Sequence, residues 1–191
     1  CITDRGWVNG PGGASCSKFL KKEVRADLQD AERFDVHVMG FEFDVHEIER
    51  AVRFKKDFGD LNPAFPLIDA SLNKNQCAGI LLNAGIELPM MYRLGYHNNN
   101  CVGCVKGGAG YWNKIKVDFP EVFAKMARTE RDLNAAICKT EGRDVGGKRW
   151  RKRLFLDELP PDAGQYDSEP DIECGVLCVQ DSTSQTRGEQ P

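Results

Sequence analysis

The sequence contains no run of about 18 apolar residues, so it offers no segment that could cross a bilayer as a single helix. It lacks the basic and apolar regions of a secretory leader, beginning instead Cys1-Ile-Thr-Asp-Arg-Gly-Trp7. It also lacks a strong charge of one sign: the formal net charge is -3 over 191 residues. No global attraction to nucleic acid or anionic membrane follows, and local patches must decide partners. There is no internal repeat. These absences leave the expectation of a soluble, cytoplasmic chain long enough for one domain with a sizeable core. The chain opens on Cys1 rather than Met, followed by a Gly/Pro/Ser/Asn-rich stretch from Asn9 to Ser15 that reads as loop, so the native start is expected to lie elsewhere.

Cysteine is plentiful: Cys1, Cys16, Cys77, Cys101, Cys104, Cys138, Cys174 and Cys178. An even count suggests disulfides in a secreted protein, but the size of the chain and the missing leader favour thiolate chemistry. The most informative pattern is Cys101-Val-Gly-Cys104, set between Gly and Asn turn residues in the stretch Gly95 to Trp112. A C-x-x-C turn lets two thiolates point at one atom, which suits a metal, an iron-sulfur cluster or a redox disulfide.

Periodicity predicts a helix capped by Ser15 or Ser17, with Phe19, Leu20, Val24 and Leu28 on one face. Phe34 to Met39 reads as a strand ending at Gly40. Asp44 caps a second helix carrying Val45, Ile48, Val52 and Phe58, broken by Pro63 and Pro66. A third helix runs from about Asn73 to Ala84 and stops at Gly85. Pro120 opens the longest, from Glu121 to about Ile137, with Val122, Phe123, Met126 and Leu133 inward. Leu67 to Asp69 and Leu154 to Leu156 are the other strand candidates, and from Pro160 the chain reads mostly as tail. So few strands cannot cover helices on both faces of a sheet, and part of the sheet is expected to be missing from this chain or supplied by a partner.

Four segments, in order, carry a resemblance. Cys16-Ser-Lys-Phe-Leu-Lys21 resembles the Cys-Thr-x-x-Leu-Lys segment of the phosphoadenosine phosphosulfate reductase family. The segment Gly40 to Arg50, with Glu47, resembles its Gly-x-Arg-x-x-Glu-x-x-Arg segment with two residues added. Asn100-Cys-Val-Gly-Cys-Val-Lys106 is similar to the Asn-Cys-x-x-Cys-x-Lys of its phage-type and DNA-phosphorothioation relatives. Glu173-Cys174-Gly175 is similar to the Glu-Cys-Gly-Leu-His tail of the sulfonucleotide reductases. The resemblance implies an α/β fold, an adenine nucleotide α-hydrolase-like parallel sheet with flanking helices, incomplete at the N-terminus, over residues 1–159. A Cys-containing tail, 160–191, follows. It implies sulfur transfer or sulfonucleotide reduction, with an adenine nucleotide or sulfonucleotide as ligand and a redox or sulfur-carrier protein as partner. Two positions depart from the family: its Ser-Gly-Gly-x-Asp-Ser nucleotide loop has no counterpart, and Glu42 stands where it has Arg.

Two thiolates rarely complete a tetrahedral site or a cubane, so Cys101 and Cys104 need distant partners. The tail pair lies about 70 residues on, too far for a zinc ribbon, whose second pair is expected about 15 to 20 residues away. The expected set is Cys16, Cys101, Cys104 and Cys178 around a four-iron four-sulfur cluster, with structural zinc as the alternative. By its match to Glu-Cys-Gly the resemblance leaves Cys174 as the redox nucleophile, with Cys174 and Cys178 able to exchange the two roles. Lys106 and the amides of Gly107 and Gly108 could spread the cluster charge. Cys77 and Cys138, on expected helices, read as small core residues.

Other polar residues carry two readings each. Lys21, Arg50 and Lys106 are candidate anion clamps, while Glu47 and Arg50, three apart, also suit an intrahelical ion pair. His97, before three Asn residues, is a ligand candidate or part of a turn. Gly107-Gly-Ala-Gly110 is a weak phosphate signal, and Tyr111 and Trp112 read as packing anchors. Lys148-Arg-Trp-Arg-Lys-Arg153 could hold a nucleic-acid backbone with Trp150 stacking, or be a solvated edge beside Asp157 and Glu158. The alternative to an enzyme is thus a non-catalytic, metal-stabilised module that binds a protein partner or DNA.

Overall fold

The computed structural model describes residues 2–172 apart from 7, 11 and 12. The described chain is mixed α/β and mostly helical, with short strands. It divides into two compact units: one takes the chain up to Val24 and again from Pro89, the other is Arg25–Leu88. No helix among the described residues is long and apolar enough to cross a membrane.

The Arg25–Leu88 unit is built on a strand-helix-strand crossover. His37–Val38 pairs in parallel with Pro63–Ala64, and the helix Val45–Asp57 lies between them in sequence. Asp44 caps that helix, its carboxylate accepting from the His46 N–H at 2.9 Å. The helix buries Ala51 and Phe54, which with Phe41 form a small core extended by Phe58 and Phe65. Phe41 stacks on Phe65 at 5.5 Å between centroids, and Phe54 meets both rings edge-on. The next helix, Lys74–Asn83, starts with a capping box in which Asn73 and Gln76 exchange hydrogen bonds, leaving few of its first-turn N–H groups without a partner. Leu67–Asp69 belongs to a helical turn, Pro66–Asp69, rather than to a strand, because Pro66 presets the first helical position. Val45 and Val52, apolar residues of the expected helix, are about two-thirds exposed at 67% and 65%, since the aromatic cluster lies against the Ala51/Phe54 face.

The other unit has the larger core, centred on Tyr111, Trp112 and Ile115 of the helix Ala109–Asp118. Burying Ile115 completely stabilises the fold by about 2 kcal/mol. The helix Pro120–Asp132 packs against it through Phe123 and Ala127. This helix stops earlier than the sequence pattern suggests: Asn134 takes a positive φ of 47°, and the Ala135 N–H turns back to the Glu130 carbonyl. The chain then forms an antiparallel hairpin, Cys138–Arg143 with Arg149–Leu154. Cys138 is therefore a strand residue, and it is fully buried, with burial pushing its thiol up to about 11. Residues from Pro160 to Ile172, expected as tail, fold back on this core through Ala163, Tyr166 and Ile172. The first predicted helix forms as successive helical segments Ser15–Ser17, Lys18–Lys22 and Glu23–Ala31, but its expected apolar face is exposed at Leu20 and Val24.

Glu130 fixes the hairpin to the helix. Fully buried, its carboxylate accepts from the N–H of Ile137, just before the first strand, and from the N–H of Leu156, just after the second. Burial raises its pKa above the ordinary 4.5, with the two N–H donors opposing. A carboxyl whose folded pKa is raised binds its proton more tightly folded than unfolded, so its contribution makes stability fall as pH rises from 4.5 through the raised value. Glu130→Ala should cost about 3 kcal/mol in urea unfolding, because two buried donors lose their acceptor. Glu130→Gln should remove that pH slope; a slope unchanged in the variant would assign it to another group.

Candidate functional site

The Cys101–Cys104 turn is shaped by Gly103, which takes a φ of 76°, in the left-handed region that side chains disfavour. A Cβ there would also meet the Val122 side chain at 2.8 Å. The turn leaves Cys101 exposed and Cys104 half-buried against the core.

The buried phenol of Tyr111 holds both ends of the turn. Its hydroxyl accepts from the Cys104 N–H at 2.9 Å and donates to the Cys101 carbonyl at 3.2 Å. Burial pushes the phenol up to about 12, so it stays a donor throughout the physiological range. Tyr111 is in the first turn of the Ala109–Asp118 helix, where N–H groups need outside acceptors. Glu169 supplies them, accepting from Gly110 N–H at 2.6 Å and Tyr111 N–H at 2.9 Å. The glycine run before this helix is thus occupied by the chain itself: a Cβ on Gly110 would strike the Tyr166 backbone, and one on Gly108 the Glu169 carboxylate. This overturns the phosphate-cradle reading of Gly107–Gly110, while Tyr111 and Trp112 are packing anchors as expected.

The segment ahead of the turn is tied to the same returning strap. Tyr166 stacks on His97 at 4.5 Å and its hydroxyl accepts from the His97 N–H at 2.7 Å. His97 Nδ1 lies 3.4 Å from the Asp171 carboxylate. Asn100, next to Cys101, donates from Nδ2 to the Ile172 carbonyl at 2.9 Å.

Just past the turn a cleft of about 590 Å³ opens, lined by Lys106, Gly108, Lys139, Thr140, Gln165 and Ser168, among others. Lys106, Lys139 and the Thr140 hydroxyl suit an oxyanion, and the Glu169 carboxylate, committed to the Gly110 and Tyr111 N–H groups, also lines the cleft. Lys139, Thr140 and Ser168 were missed from sequence, because nothing local to each links it to Lys106; the hairpin and the strap bring them there.

The remaining predicted residues are distributed as follows. Cys16 is half-buried and packs against the core that Cys104 also joins. Among the described residues no three metal-ligating side chains come together. Cys174 and Cys178 lie outside the described residues. Lys21 is half-buried in the helical turn Lys18–Lys22 of the same unit. Glu47 and Arg50 belong to the other unit and pair with each other at 2.9 Å, with the Arg50 guanidinium also 4.5 Å over the Phe41 ring. That double engagement favours the structural reading of Arg50.

Comparison with known proteins adds no relative: no family model, no curated protein and no solved structure matches the chain. The site must therefore be read from its own chemistry. If the phenol holds the turn, Tyr111→Phe should cost about 1–3 kcal/mol in stability and speed the reaction of Cys104 with a maleimide several-fold. Unchanged stability and thiol reactivity would show that the turn keeps its shape without the hydroxyl.

Proposed function

We propose that this chain is a phosphoadenosine phosphosulfate reductase-like protein of adenine nucleotide α-hydrolase-like fold, working through thiolates. In this reading Cys16, Cys101, Cys104 and Cys178 hold a four-iron four-sulfur cluster, zinc being the other metal such ligands accept. The observation that carries it is the Tyr111-held cysteine turn running directly into the Lys106 cleft. The turn offers two thiols on a fixed backbone, which fits a metal centre better than a mobile loop would. Such a cluster, held by these cysteines, would set the electrostatics of the site.

Lys106, with Lys139, holds the anionic end of a sulfonucleotide in the cleft, and Lys21 is a further cation of the same unit. The Cys174 thiolate attacks the sulfonate sulfur; the sulfur-oxygen bond to the nucleotide phosphate breaks, and the phosphate leaves with the electron pair. A thiol of a redox protein partner then attacks the cysteine sulfur, releasing sulfite, and a second thiol of that partner resolves the mixed disulfide, regenerating Cys174. The partner is oxidised to its disulfide by two electrons.

Calorimetric titration of the anaerobically purified chain with a sulfonucleotide tests the reading. Binding should weaken tenfold or more in Lys106→Ala, as expected for loss of a charged hydrogen bond. Cys174→Ser should keep binding and lose thiol-dependent sulfite release. No binding at millimolar sulfonucleotide, together with no effect of Cys174→Ser, would remove the enzymatic role.

A further inference from the structure

We infer that the hairpin Cys138–Arg143/Arg149–Leu154 is a binding surface for single-stranded nucleic acid. The inference does not depend on the sulfur chemistry. From Cys138 to Leu154 the chain has seven Lys or Arg residues against Glu141 and Asp144, a net charge of +5. Since the whole chain is at -3, the remaining residues carry -8, and the hairpin is a concentrated positive site on an acidic protein.

Two acidic neighbours, Asp157 and Glu158, are engaged by Arg131. Arg131 donates to Asp157 at 2.6 and 3.0 Å and to Glu158 at 2.7 Å, and its guanidinium lies over the Phe155 ring. The two acids of the solvated-edge reading are thus paired with Arg131.

The hairpin is also held and shaped for contact. Its base is fixed by the buried Cys138 opposite Leu154, and Glu130 accepts from the N–H groups flanking both strands. Towards the turn, Trp150 lies opposite Gly142, and a Cβ on Gly142 would meet the indole at 2.6 Å. The missing side chain lets the ring lie against the strand, which fixes it while leaving Trp150 46% exposed. Lys148, Arg149 and Lys152 around it are exposed. A fixed, half-exposed indole among cations is suited to stacking on an unpaired base while the cations hold phosphates. A duplex hides its base faces and can use only the charges, so the indole selects single strands.

The test is fluorescence anisotropy of a labelled 20-nucleotide DNA strand, the same RNA sequence, the corresponding duplex and phosphatidylserine vesicles, over a salt series with the full chain. Single strands should bind more tightly than duplex, and the DNA and RNA arms identify the preferred sugar. Replacing Lys148, Arg149 and Lys152 together by Gln should reduce the slope of log affinity on log salt by about 2. Arg153 is kept because it donates to the Ala136 carbonyl at 3.0 Å. Trp150→Leu, which still covers Gly142, should weaken single-strand binding about tenfold. Equal or tighter duplex binding, binding to vesicles alone, no binding at low salt by the unsubstituted chain, or a triple variant with unaltered slope would each overturn the inference.

Discussion

At the first turn of the Ala109–Asp118 helix one residue meets two hydrogen-bonding needs at once. The backbone N–H of Tyr111 donates to Glu169, and its side-chain hydroxyl joins the Cys104 N–H to the Cys101 carbonyl. A helix N-terminus that ended in the interior without an acceptor would cost more than the helix gains, so the returning strap and the helix depend on each other. The cysteine turn inherits its position from that arrangement. Tyr111 also packs edge-on against Tyr96 and Trp112, so a shift of the phenol would disturb the core and the turn together.

The same unit separates its charges. The strap carries acids, with Glu169 committed to helix N–H groups and Asp171 beside His97. Arg131 engages Asp157 and Glu158. Glu130 is buried as an acceptor. These acids are occupied in structure, while Lys148, Arg149 and Lys152 of the hairpin are exposed. The cleft and the basic hairpin share the first strand, which contributes Lys139 and Thr140 to the cleft lining.

Much of the local structure was legible because its cause is local. Asp44 and the Asn73/Gln76 pair announce helix starts through side chains that reach only two or three residues. Pro120 marks another by its fixed φ. The Ala109–Asp118 helix was not legible: it begins in a glycine-rich segment of poor helix propensity, and its cap is Glu169, about 60 residues away. The hairpin was hidden for a related reason, since a run of cations has no apolar alternation and its anchor is a glutamate on a preceding helix. At the site, the C-x-x-C turn and Lys106 could be found from sequence, whereas Lys139 and Ser168 meet them only through tertiary folding. Arg50 illustrates the opposite case: a residue singled out for function is held by its own helix neighbour and a phenylalanine ring.

The central claim is that Cys101 and Cys104, fixed by Tyr111, are ligands of an iron-sulfur centre. The most direct measurement is iron, acid-labile sulfide and zinc per chain after anaerobic purification, for the unsubstituted protein and for Cys101→Ser. The account predicts about four iron and four sulfide per chain, both lost in the variant. A metal-free protein, one zinc per chain, or iron unaffected by the substitution would contradict it.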